Sequence, residues 1–205
     1  MRALIIVDLQ KDFLPGGALA VRNSDEVIPV INALMPGFEL IVATRDWHPP
    51  NHGSFAENHP GKRPGDVVEL NGLKQILWPT HCVQKTPGAE LAPSLDTGRI
   101  ARVFDKGTDP GVDSYSGFFD NARRHKTGLH EYLKDHDVTD VYVAGLATDV
   151  CVRATALDAL DLGYNTYVIE DACRSVELHI GDGEAALAAM RRAGILVISS
   201  EYSSK

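Results

Sequence analysis

Cysteine is scarce in this chain: Cys82, Cys151 and Cys173 are the only three among 205 residues. So odd and sparse a set does not make a disulfide framework, and it points to a reducing, cytoplasmic setting. Basic runs are missing too. Twenty Lys and Arg stand against 28 Asp and Glu, a formal net charge of −8. Nucleic acid and anionic membrane are therefore excluded as expected partners. No apolar run exceeds strand length, so no membrane-spanning helix is expected. Repeats and low-complexity tracts are absent. The N-terminus leads directly into Ala3-Leu4-Ile5-Ile6-Val7 with one charge ahead and no small-residue cleavage site behind. No secretory leader is expected. What remains is a 44% hydrophobic chain of one-domain size, with residues 1–205 sharing one sizeable core.

Strand-like and helix-like segments alternate along that chain. Apolar runs at Ala3–Val7, Leu40–Thr44, Ile100–Phe104, Val138–Ala144, Asn165–Ile169 and Ile195–Ile198 read as buried strands. Helical spacing at Asp25–Met35, Gly128–His136, Thr148–Leu162 and Asp182–Ala193 fills the intervals, with Pro36-Gly37, Gly163 and Gly194 as stops. This order predicts an α/β fold: a doubly wound six-stranded parallel sheet with helices on both faces. Such sheets bind ligands beyond the carboxyl ends of their strands, where strand order reverses.

The stretch Val141-Tyr142-Val143-Ala144-Gly145-Leu146-Ala147-Thr148-Asp149-Val150-Cys151-Val152-Arg153 carries the first chemical signal. A buried strand runs into Thr148-Asp149, which offers N-cap chemistry, and Cys151 falls in the first helical turn. Unpaired N–H groups and the helix dipole there favour a thiolate, and they offer an oxyanion hole to a nucleophile. A small residue packing the junction is the equally weighted alternative. The other strand ends decide between them. Asp8, Asp46 with His48, and Lys106 all fall just past predicted strands. A carboxylate, a metal-type pair, a lysine and a cysteine facing one crevice point to an enzyme.

Residues from about 45 to 95 form a long irregular segment rich in Pro, Gly, His and Asn. Asp46-x-His48, His52 and the distant His81 give a nitrogen and oxygen donor set for one divalent ion, zinc, iron(II) or manganese(II). Cys82 and Cys173 read as structural.

Four segments together resemble one family: Val7-Asp8-Leu9-Gln10-Lys11-Asp12-Phe13, Arg45-Asp46-Trp47-His48-Pro49, Trp78-Pro79-Thr80-His81-Cys82-Val83, and Ala144 to Val152. They are similar to the isochorismatase-like cysteine hydrolases, and within these to the nicotinamidases or pyrazinamidases. Lys106-Gly107 and the segment from Asp113 to Asn121 fit the bacterial pattern. The resemblance spans nearly the whole chain, with the motifs in family order.

It implies hydrolysis of nicotinamide to nicotinate and ammonia for NAD salvage, with pyrazinamide as a further substrate. Cys151 would be the nucleophile, Asp8 the acid/base and Lys106 the third member. Without the resemblance, Lys106 reads as a surface charge. Asp46, His48 and His81 match metal ligands, and His52 matches a fourth that not every member uses. Phe13 and Trp78 match aromatic walls around a flat ring, with Tyr115 near the same pocket. Leu146-Ala147 matches a cis peptide whose two residues would contact the substrate and turn the Ala147 N–H toward the oxyanion beside that of Cys151. The metal would hold the pyridine nitrogen. Oligomeric state stays open, a homo-oligomer included. A related cysteine amidohydrolase acting on another small amide or carbamoyl group is the neighbouring reading. A non-catalytic ligand-binding domain is the distant one, against which the intact Asp8, Lys106 and Cys151 set argues.

Overall fold

The structure is a computed structural model that describes residues 1–203. In chain order it places β1 (Arg2–Val7), α1 (Val27–Leu34), β2 (Leu40–Asp46), β3 (Val67–Leu70), β4 (Leu73–Ile76) and β5 (Arg102–Lys106). Then come α2 (Leu129–Asp135), β6 (Asp140–Leu146), α3 (Arg153–Asp161), β7 (Asn165–Arg174), α4 (Asp182–Ala193), β8 (Leu196–Ile198) and the short α5 (Ser200–Ser203). Six strands form one sheet in the order β5-β2-β1-β6-β7-β8, and every pairing in it is parallel. The chain winds outward from β1 through β2 to β5. It then returns to β6 beside β1 and winds the other way. The switch point therefore lies between β1 and β6, as the expected fold requires.

Period-two alternation splits the strands between two cores. Leu4 and Ile6 of β1 pack with Val27, Ile28 and Ile31 of α1 on one face. Ala3, Ile5 and Val7 pack on the other with Leu129 and Leu133 of α2, Ala156 and Ala159 of α3 and Met190 of α4. Because β1 is covered on both sides, it reads in sequence as an unbroken apolar run. α4 begins and ends as its sequence predicts. Gly181 and Gly194 flank it with φ of +95° and +104°, Asp182 and Glu184 sit in its first turn, and Arg191 and Arg192 in its last.

Several boundaries differ from expectation. β2 and β5 run on through Asp46 and Lys106, which pair in register as the terminal residues of their strands. These two residues close the strands instead of following them. β7 continues to Arg174 past a register shift against β6. The segment expected to be irregular holds an antiparallel hairpin, β3–β4, turning at Asn71-Gly72 with φ of 49° and 87°. Asn-Gly is the strongest short hairpin signal, so it was present to be read. Among the described residues no helix is long and apolar enough to cross a membrane.

Gly145 marks the tightest approach at the switch point. Its φ is +120°, and a Cβ there would lie 2.2 Å from Val7 O and 2.8 Å from Val7 N. Gly145→Ala is expected to cost at least about 2 kcal/mol through strain and overpacking. Urea denaturation measures this, and an unchanged midpoint would contradict it.

Candidate active site

The carboxyl ends of β1, β2, β5 and β6 bring four side chains together. Asp8 follows β1 in a left-handed turn, φ 49°. Its N–H donates to Thr44 O at 3.2 Å, and its Oδ1 accepts from the Thr44 hydroxyl at 2.7 Å. Lys106 Nζ lies 2.5 Å from Asp46 Oδ1, 2.9 Å from Asp8 Oδ2, 2.9 Å from Ser114 O and 3.5 Å from Cys151 Sγ. Its contact with Asp8 Oδ2 is a buried ion pair. An Asp8 oxygen and Cys151 Sγ lie within 4.8 Å of each other.

The charges follow from this sharing. Burial raises the Asp8 pKa to about 6 against the pull of Lys106, with Asp46 adding to the rise. Asp46 is also opposed by burial, yet Lys106 and His48 hold it well below the usual carboxylate range. Lys106 loses solvation, but Asp46 and Asp8 keep it firmly protonated. Burial pushes the Cys151 thiol well up; Lys106 pulls it down, while Asp8 and Asp46 push it up again. Burial and the two carboxylates thus oppose the thiolate that a helix terminus favours. Two carboxylates share the ammonium that would have stabilised the thiolate. The local backbone is corrected: Cys151 sits in a π-helical turn, Thr148–Val152, and α3 starts only at Arg153. The Leu146–Ala147 peptide is cis, as the resemblance implies.

Asp46, His48 and His81 bring ligand-type atoms within 4.8 Å of one another. His48 Nδ1 bonds Gly107 O at 2.8 Å and His81 Nδ1 bonds Pro79 O at 2.7 Å. A carbonyl only accepts, so both Nδ1 atoms carry the proton and both Nε2 atoms present a lone pair. Those Nε2 atoms lie 3.7 Å and 3.8 Å from the two Asp46 oxygens. This donor set fits a divalent ion. Gly107 makes room for it, since a Cβ there would fall 2.3 Å from His48 Cε1.

His52 is placed differently. It groups with His48 and Asp113 instead of joining the other three. The Ser54 N–H donates to its Nδ1 at 3.2 Å, so the ring proton belongs on Nε2, which is buried without a partner. Burial and His48 lower its pKa to about 4. At neutral pH the His52 ring is therefore uncharged.

A cleft joins these parts. Its lining includes Phe13, Trp78, Tyr115, Ala147 and Cys151 together with Asp46, His48 and His81. Leu146 does not line it. The side chain is 1% exposed within the core on the α1 face, which corrects its expected contact with substrate. Cys82 is fully buried, and burial pushes its thiol well up, consistent with a structural role. Cys173 is likewise buried and raised to about 12.

Several site residues carry no signal strong enough to assign from sequence. Gln10 clamps the Asp46 backbone, accepting its N–H at 2.7 Å and donating to its carbonyl at 2.8 Å. Asp12 Oδ2 accepts the Cys82 N–H at 2.7 Å, which ties the His81 loop to the Phe13 turn. Asp113 is buried in the cleft wall. Its place in the motif beside Lys106-Gly107 was the available hint.

Comparison with known proteins agrees with this geometry. The isochorismatase domain family matches residues 2–202. The chain is 51% identical over 197 residues to the nicotinamidase of Escherichia coli, covering 94% of this chain and 92% of that one. The Acinetobacter baumanii nicotinamidase/pyrazinamidase superposes with a TM-score of 0.94 at 47% identity, covering 98% and 96% of the two chains. A Pyrococcus horikoshii pyrazinamidase, solved in complex with zinc, gives 0.80 at 42% identity over 97% and 98%. With a match running from the first strand to the last helix, the chain belongs to the isochorismatase domain family.

Proposed function

We propose that this protein is a nicotinamidase, hydrolysing nicotinamide to nicotinate and ammonia through a thioester on Cys151. Pyrazinamide, a similarly flat ring bearing the same carboxamide, is a second substrate. The observation that carries the reading is the single Lys106 ammonium within 3.5 Å of Asp8, Asp46 and Cys151. It ties a nucleophile and its base to one edge of a candidate metal site, at the floor of an aromatic-walled cleft.

Phe13 and Trp78 hold the ring and present the carboxamide carbon to Cys151. Asp8, with an oxygen within 4.8 Å of the sulfur, takes the thiol proton as sulfur attacks. Lys106 keeps Asp8 ionised beforehand and offsets the charge that develops. The N–H groups of Ala147 and Cys151 receive the tetrahedral oxyanion, a contribution worth roughly 10²–10³ in rate per donor. Asp8 returns its proton to the departing nitrogen, and ammonia leaves a thioester. Asp8 then takes a proton from water as the water attacks the thioester carbonyl. Collapse releases nicotinate, and the proton returns to sulfur. Asp46, His48 and His81 would hold a divalent cation supplying Lewis acidity on the ring side of the cleft, with His52 as an N–H donor beside them. Three free, buried cysteines accord with a cytoplasmic setting.

Cys151→Ala should abolish ammonia release from nicotinamide while the thermal melting curve stays cooperative; an active variant would overturn the scheme. The base must be ionised to accept the thiol proton, and its raised pKa of about 6 sets the acid limb. Below that value kcat/KM is expected to fall tenfold per pH unit, and above it to level off. Asp8→Asn should lose about 10²–10⁴-fold in kcat/KM and flatten the limb. A limb that persists in this variant would assign the ionisation to another group.

A further inference from the structure

Between β7 and α4 the chain crosses residues 175–181 without regular secondary structure, and one buried carboxylate grips that strap. Asp149, 8% exposed, accepts the Val176 N–H at Oδ1 and the Glu177 N–H at Oδ2, each at 2.9 Å. Glu177 then turns through a left-handed backbone, φ 56°, and its own carboxylate accepts the N–H groups of Gly181 and Gly183 at 2.7 and 2.9 Å. Ser175 packs so closely on the start of α4 that a Cβ at Gly183 would fall 2.2 Å from its Oγ. The strap is thus fastened on one side to the turn that carries Cys151, two residues beyond Asp149, and on the other to α4. No step of the proposed reaction uses Asp149 or the strap. Yet Val176, where Asp149 grips, lines the cleft with Ala147, Val150 and Cys151. Its side chain packs on the core cluster to which Phe13, Val21 and Ala147 belong. Val176, Val150, Trp78 and Tyr115 also line an outer groove, with Leu178 and Arg153 beyond them. These four residues therefore stand between the cleft and the groove.

We infer that Val176 is a specificity-determining residue and Asp149 the positioning residue that sets it: together they make the strap a wall that limits the substituents an aromatic carboxamide can carry on its ring. The inference rests on the proposed reaction for the identity of that carboxamide. Two properties make the wall firm. A valine side chain is stiff at χ1. Its backbone, and that of the next residue, is held by hydrogen bonds to an ionisable carboxylate, the stronger kind. Because that carboxylate belongs to the nucleophile's own turn, the wall keeps its distance from the sulfur. Val176→Ala would remove two carbon atoms between cleft and groove. Loosening Asp149 would let the same wall draw back without being shortened.

The test compares the unmodified protein, Val176→Ala, Asp149→Asn and the double variant on nicotinamide and its 2-, 4-, 5- and 6-methyl derivatives. The readout is kcat/KM for each derivative relative to nicotinamide, a ratio in which a general loss of activity cancels. Val176→Ala is expected to raise that ratio about 10-fold or more for the isomer whose methyl group meets the wall, and to change it less for the others. Asp149→Asn should raise the ratio for the same isomer, because it sets an N–H donor against one of the strap amides. In the Val176→Ala background it should add little, since the wall it positions is already cut back. Calorimetric titration with nicotinate and the matching methylnicotinates should show the same preference. Unchanged ratios for all four isomers in folded Val176→Ala would overturn the inference. An Asp149→Asn variant that loses activity equally on every compound would overturn the part given to Asp149, since that marks a merely structural role. Absence of turnover by the unmodified protein would instead strike the reaction itself, and the titrations would still decide the wall.

Discussion

One buried ammonium holds the centre of this molecule together. Lys106 sits 2% exposed at the end of β5, between the Asp8 carboxylate at the end of β1 and the Asp46 carboxylate at the end of β2. Neither carboxylate could stay ionised in so dry a place without a cation, and the cation could not stay charged without them. Three adjacent strands are therefore pinned at their carboxyl ends by charge as well as by backbone ladders. The same cation also reaches Cys151 on the far side of the switch point. Because two carboxylates share it, too little positive charge is left over to hold a resting thiolate. In the proposed reaction the sulfur therefore gives up its proton to Asp8 only as it attacks.

The topology makes that arrangement reachable. Strand order reverses between β1 and β6, so the turns after these two strands face one another across the sheet edge. Asp8 takes a left-handed backbone at the first turn, and a cis peptide with a π-helical turn follows the second. Irregular backbone is concentrated where the chemistry is, with the regular sheet behind it as the rigid frame. The long segment between β2 and β5 then closes the site from above. It brings His81 to His48 and Asp46, and it adds Trp78 to the cleft that Phe13 also lines.

Much of this was legible in the residues. Strands buried on both faces must be apolar throughout, which is why β1, β6 and the sheet class could be read directly. α4 carried its own start and stop in glycines and terminal charges. What resisted reading was set by distant neighbours. Asp46 and Lys106 look like loop residues because they are charged, yet each ends a strand because the other is there to neutralise it. The surroundings of Cys151 were hidden for the same reason: helix-terminus chemistry is local, whereas Asp8 and Asp46 approach the sulfur through the fold. Leu146 was assigned to the substrate pocket from its motif, but its side chain faces the core. The hairpin was obscured by half-exposed strands such as Val67–Leu70, although Asn71-Gly72 announced its turn.

The central claim is that the cysteine poised beside Asp8 and Lys106 is acylated during turnover. Rapid acid quenching of the enzyme during nicotinamide hydrolysis, followed by peptide mass spectrometry, tests it most directly. The account predicts a pyridine-3-carbonyl group on the peptide bearing Cys151, formed and lost at rates that match turnover. Full hydrolysis with that peptide unmodified at every quench time, or with the acyl group on Cys82 instead, would contradict it.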